Sequence, residues 1–207
     1  QEDIKRVEDL LAKLSPLIKQ REEKCTLAIL TLPELYVLLD NDQLRFFKSF
    51  ENLDANELNI KIPYHGMTYG KQRLVTIKGQ KVKKKQNFIA LPPQFLPEEA
   101  FRSYTEMMKA MQKDVGKCLY VESGYRSSAY QLYVFVWSLR NHGYSIRETA
   151  KFVALPGYSE HGDTEHQAID FINENGIGCQ NNAEDFEMLA EYKWLLTNAK
   201  KFGFFLS

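Results

Sequence analysis

The chain has 207 residues, 44% of them hydrophobic, which suffices for one domain of good size, or one domain with a smaller appendage, and excludes global disorder. Its 27 basic residues balance 27 acidic ones, so net charge gives no argument for nucleic acid, and none is expected as a partner. No stretch reaches the roughly 20 apolar residues needed to span a bilayer, and no secretory signal is visible.

The chain begins at Gln1 rather than Met, consistent with removal of an N-terminal piece. Cys25, Cys118 and Cys179 are odd in number and lack CxxC spacing, so they suggest neither a disulfide framework nor a cysteine-rich zinc site. Each reads as a small buried hydrophobe, with one disulfide plus a free thiol left open.

Residues 1–24 read as a helix. Ile4, Val7, Leu11, Leu14 and Ile18 recur at spacings of three and four, and Pro16 should kink or split the element. In TLPELYVLLD, Thr31 and Glu34 have capping-box spacing and predict a short helix. NDQLRFFKSF predicts a third, with Asp42 as N-cap. This front section, to about residue 60, carries no cluster of chemical groups and reads as a packing or interaction element.

From Ile60 to Ala90 the pattern turns to strands, and RLVTIKG and QNFIALP resemble a hairpin around a basic turn near Gly79. The run KGQKVKKKQ, Lys78–Gln86, reads as a solvated hairpin, with contact to an acidic polymer as the sharper alternative. A helix then starts near Pro97, with Glu98 and Glu99 in its first turn and Phe101, Tyr104, Met108 and Met111 on its buried face.

Cys118–Val121 reads as a buried strand running into a turn at Gly124. A helix follows from about Ser127 to His142, with Tyr130, Tyr133, Val134 and Trp137 on one side and Gly143 as its cap. SIRE opens another helix to about Val153, QAIDFI reads as a strand, and a last helix runs through Trp194, Leu195 and Ala199 to Gly203. Helices and strands mix without regular βαβ alternation, so the class is α+β.

The stretch PGYSEHGDTEHQAIDF concentrates chemistry. Zinc takes His nitrogen and carboxylate oxygen, and His161, His166, Asp163, Glu165 and Asp170 offer both within ten residues. Asp170 lies inside an apolar strand, where a carboxylate is costly to bury unless paired, hydrogen-bonded or bound to metal. The plainer alternative is a polar loop whose last Asp caps a strand end.

In order and rough spacing, ESGYRSSAYQ, ALPGYSEH, AIDF and EYKWLLTNAKKFGFFLS resemble the D-alanyl-D-alanine carboxypeptidase family of VanY type, over about Phe88 to Ser207. The resemblance implies an α+β fold: a small antiparallel sheet with a metal site in a cleft, flanked by helices. Residues 1–60 would then be a helical N-terminal extension and 61–207 the catalytic domain.

The same resemblance implies a zinc metallopeptidase hydrolysing the terminal D-Ala of peptidoglycan stem peptides in the cell envelope, periplasmic or extracellular. A cell-wall endopeptidase and a non-catalytic peptidoglycan-binding module are the alternatives. His161 and Asp170 match two zinc ligands, and Ser159, Arg126 and Gln131 match substrate-binding positions. A guanidinium fork suits the substrate's carboxylate or carbonyl groups.

Asp170 follows His161 by nine positions, two more than the family's usual gap, which leaves open that His166 replaces His161. The family's third ligand and catalytic base stand in a Glu-Pro-Trp-His-Trp block. The chain ends at Ser207, so both are expected beyond it.

Overall fold

Residues Glu2–Glu23 form one helix, α1, in the computed structural model, which describes residues 1–67, 73–84 and 86–206. Its buried residues, Val7, Leu10, Leu11, Leu14 and Ile18, keep the three-and-four spacing. Pro16 lies inside α1 and does not split it, contrary to one of the two expectations. Leu14 and Ile18, on either side of Pro16, are buried in one core, and that packing outweighs the lost N–H.

Internal contacts group the chain into two compact units, Gln1–Lys71 with Arg126–His166, and Gln72–Tyr125 with Gln167–Ser207. In the first, α1 is followed by α2 (Leu32–Tyr36), where Thr31 N–H donates to Glu34 Oε2 at 3.0 Å as the capping box requires. Helix α3 (Asn41–Ser49) is capped by Asp40 rather than Asp42. The Asp40 backbone is extended, so its Oδ1 accepts from the N–H groups of Asp42 (3.0 Å) and Gln43 (2.9 Å). Asp42 is already within the first turn.

Helix α5 (Ser128–Ser138; α4, Glu98–Val115, belongs to the second unit) is capped by Ser127. It continues as a 3-10 turn, Leu139–His142, to Gly143 at φ +61°. It buries Ala129, Leu132, Phe135 and Val136, while Tyr130, Tyr133 and Val134 on the other side are half-buried and Trp137 is exposed. The helix is apolar nearly all round, so spacing does not choose a face. The choice falls to the stripe of α1, with which these residues share a core. Helix α6 is one turn, Ile146–Thr149, shorter than expected, with Ser145 Oγ accepting from Glu148 N–H.

The second unit holds three two-stranded antiparallel sheets among the described residues. They pair β1 (Leu74–Ile77) with β4 (Gln94–Pro97), β2 (Lys81–Lys84) with β3 (Asn87–Ala90), and β5 (Leu119–Ser123) with β6 (Asp170–Asn173). The hairpin expected between RLVTIKG and QNFIALP does not form, because LVTI pairs with QFLP and the basic run is itself a strand. The divergence is fixed at Gln80, whose buried amide donates to Val121 O (2.9 Å) and accepts from Val121 N–H (2.8 Å).

Helix α4 (Glu98–Val115) follows Pro97 and ends at Gly116, burying Tyr104, Met107, Met108 and Met111. Helices α7 (Ala183–Met188) and α8 (Ala190–Asn198) bring Phe186 and Trp194 to the same core as Leu96, Leu119 and Val121. Trp194 Nε1–H donates to Asp114 Oδ2 at 2.9 Å, so the indole is buried with its one donor satisfied.

The α+β class stands, with small antiparallel sheets among helices. All three cysteines are free, and Cys25 is exposed rather than buried. Burial pushes the Cys179 thiol up to about 11, with Asp170 and Glu122 adding to the shift, so at neutral pH it is a thiol and not a thiolate.

Candidate functional site

Strand β5 departs from regular pairing where the SGYRS block begins. Val121 faces Phe171 and Ser123 faces Asp170, with a bulge at Glu122 between them. Gly124 follows at a close backbone approach, where a Cβ would lie 2.5 Å from Phe95 O, and Tyr125 N–H donates to that same oxygen at 2.7 Å. A side chain at 124 would break this exit from the strand.

In the unit containing residues 126–166, Arg126 N–H donates to His161 O at 2.8 Å, so the two sequence blocks run alongside each other. Arg126 Nη1 donates to Gln131 Oε1 at 3.1 Å, and Gln131 Nε2 donates to Ala154 O at 2.6 Å. Gln131 is only 2% exposed, so its amide is committed to holding Arg126 and the 154 backbone. Ser159 is buried and starts the 3-10 turn Glu160–Gly162 that presents His161, with Gly162 N–H returning to Ser159 O at 3.0 Å.

Beyond His161 the loop is organised by Asp163. Its Oδ1 accepts from the N–H groups of Glu165 (3.0 Å) and His166 (3.1 Å). Its Oδ2 accepts from Nδ1 of His65 (3.1 Å) and Nδ1 of His166 (3.3 Å). Burial works against this carboxylate's charge, but the two N–H groups and then the two imidazoles hold its pKa below the usual carboxylate range. His166 is 81% exposed and turned to Asp163, whereas His161 is half-buried.

His65 is the residue that sequence reasoning passed over. Its own N–H and that of Gly66 donate to Gly157 O at 2.9 and 3.0 Å, and the Tyr64 and Tyr158 rings meet edge to face at 5.0 Å. Gly157 has φ +83°, and a Cβ there would collide with the Tyr64 ring. The only sequence clue was that the loop carrying Asp163 is two residues longer than the family's pattern.

In the other unit, Asp170 opens β6 half-buried, and Gln180 Nε2 donates to its Oδ2. Burial raises the pKa of Glu122, and the charge of Asp170 raises it further, against donors from Gln180 and Asn181. Among the described residues, Glu122 Oε2 is buried with no hydrogen-bond partner. A buried carboxylate oxygen near a second carboxylate is what a proton or a cation would satisfy.

His161 and Asp170 thus fit zinc in donor type, one nitrogen and one oxygen. They belong to different units, and among the described residues no group of three or more His, Cys, Asp or Glu side chains is arranged to hold a metal.

Compared with models of known families, residues 93–207 match VanY, D-alanyl-D-alanine carboxypeptidase. The chain belongs to the VanY family. The matched VanY region includes Arg126, Gln131, Ser159, His161 and Asp170 and excludes α1–α3 and His65. No curated relative matches the chain at comparable stringency.

Among solved structures, a mutant of the vancomycin resistance D,D-pentapeptidase VanY from the VanB-type resistance cassette, in complex with Zn(II), is similar. It shows 20% identity and a TM-score of 0.38, over 60% of this chain and 64% of that one. The chain therefore spans less than two thirds of that VanY chain's length.

Proposed function

We propose that this VanY-family chain is a zinc-dependent D,D-carboxypeptidase that removes the terminal D-Ala from peptidoglycan stem peptides. The observation that carries the reading is the Arg126 N–H to His161 O bond. Inside the family-matched region it sets the arginine of GYRS beside the loop of the Ser-x-His motif. Residues 61–207 are read as the catalytic domain, 1–60 as a helical extension, and the cell envelope as the place of action, because the substrate is there.

His161 and Asp170 would hold the zinc. When bound, zinc polarises a scissile carbonyl and lowers the pKa of its water to about 7. The chain's own contribution is binding and orientation. The Arg126 guanidinium, braced by Gln131, offers a planar pair of donors to the carboxylate of a terminal D-Ala. Ser159 shapes the turn that presents His161 and offers a hydroxyl for orienting the peptide. Gln131 serves substrate through Arg126.

The test, on the full-length protein, is release of free D-Ala from a stem pentapeptide ending in D-Ala-D-Ala, with zinc and after chelation. Release that stops on chelation and returns with zinc is expected. Cleavage only at an internal bond would make the enzyme an endopeptidase. Binding of the peptide without any cleavage would leave a binding module.

A further inference from the structure

From Lys78 to Pro97 the sequence contains no acidic residue, while the chain as a whole is neutral. Lys78, Lys81, Lys83 and Lys84 are all exposed, and none makes an ion pair among the described residues. The β2–β3 pairing sets Lys83 opposite Phe88 and Lys81 opposite Ala90, so these four share one face of the hairpin. Val82, on the other face, is 6% exposed and anchors it.

The hairpin is held firmly at its base. Leu91 N–H donates to Gln80 O (2.9 Å), Lys83 N–H donates to Glu174 O (2.6 Å), and the Gln80 amide is locked to Val121. Phe88 is nevertheless 69% exposed in the middle of the positive face. A solvated lysine hairpin has no use for a phenylalanine there, since exposing the ring gives up its burial free energy.

We propose that this outward face of the β2–β3 hairpin docks on an anionic lipid surface, with Lys81 and Lys83 meeting headgroup phosphates and Phe88 entering the interface. The choice of a bilayer over a soluble polyanion rests on Phe88. A polyanion takes up the ammonium charges and leaves the ring in water, whereas a membrane interface takes up both. The chain's neutrality makes the attraction local to this face, so it would set the orientation of the bound protein.

The test is co-sedimentation of the 207-residue protein with vesicles of phosphatidylcholine alone, or mixed with phosphatidylglycerol, at low and at physiological salt. Binding only to the phosphatidylglycerol vesicles, weakened by salt, is expected. Each of Lys81→Gln and Lys83→Gln should weaken it about fivefold, from roughly 1 kcal/mol per basic residue near an anionic surface. Phe88→Ala should weaken it about tenfold. All three positions are exposed, and matching circular dichroism spectra would verify folding.

Equal binding to both vesicle types, or phosphatidylglycerol binding unchanged in the three variants, overturns the proposal. So does lysine-dependent binding to soluble polyphosphate that outcompetes vesicles and ignores Phe88→Ala, which would make the partner a polyanion.

Discussion

His65 and Asp163, 98 positions apart, meet at 3.1 Å, Nδ1–H to Oδ2, and the contact ties the segment before the family-matched region to the loop that presents His161. The carboxylate is largely buried and collects four donors, two from backbone and two from imidazoles. Such a group organises a turn only while its donors are present.

Replacing His65 by Leu removes one of the inward donors and leaves the buried carboxylate short. A loss of about 1–3 kcal/mol in urea unfolding is expected. His65→Asn keeps an amide donor near the Nδ1 position and should recover the larger part. Equal stability of wild type and His65→Leu would show that the contact contributes nothing.

Arg126→Lys retains the charge and loses the planar fork. Turnover of the D-Ala-D-Ala pentapeptide should fall about tenfold or more, the value of a charged hydrogen bond worth about 1.5–3 kcal/mol. Gln131→Leu should lower turnover without touching substrate, because Arg126 Nη1 loses its brace and Ala154 O its donor. Full activity in Arg126→Lys would make the arginine structural.

Zinc content discriminates between the two histidines of the loop. Loss of bound zinc is expected in His161→Ala and in Asp170→Ala, and retention in His166→Ala, whose imidazole is exposed and directed at Asp163. Elemental analysis of the purified proteins decides it. Zinc lost only in His166→Ala would move the ligand five positions along the loop and discard the alignment on Ser159.

The Glu8 carboxylate in α1 accepts from Arg140 Nε (2.8 Å) and Nη2 (2.6 Å) and from the Tyr144 hydroxyl (2.7 Å). Arg140 first, then Tyr144, holds its pKa below the usual carboxylate range. A carboxyl lowered on folding stabilises the native state above its unfolded pKa, and the effect is lost as pH falls through the folded value. The group is solvent-exposed, so Glu8→Gln should cost under about 1 kcal/mol at neutral pH. That difference should vanish below the carboxylate range and shrink with salt. A difference independent of pH would assign the effect to packing.

The elements that local rules govern were legible in the chain itself. The α1 stripe, the Thr31–Glu34 box, the Gly143 and Gly203 terminations, and the order of the GYRS, Ser-x-His and AIDF blocks depend on residues a few positions apart. The family and its candidate ligands followed from that order alone.

Three features were decided only by the tertiary structure. LVTI paired with QFLP because Gln80 is locked to Val121, a partner 41 positions away. The buried side of α5 was chosen by the α1 stripe, since an almost wholly apolar helix names no face of its own. His65 reached Asp163 because the backbone of Gly157 and the ring of Tyr158 receive its segment. In each case the deciding partner is distant along the chain, and neither spacing nor propensity carries information about which distant groups will share a desolvated contact.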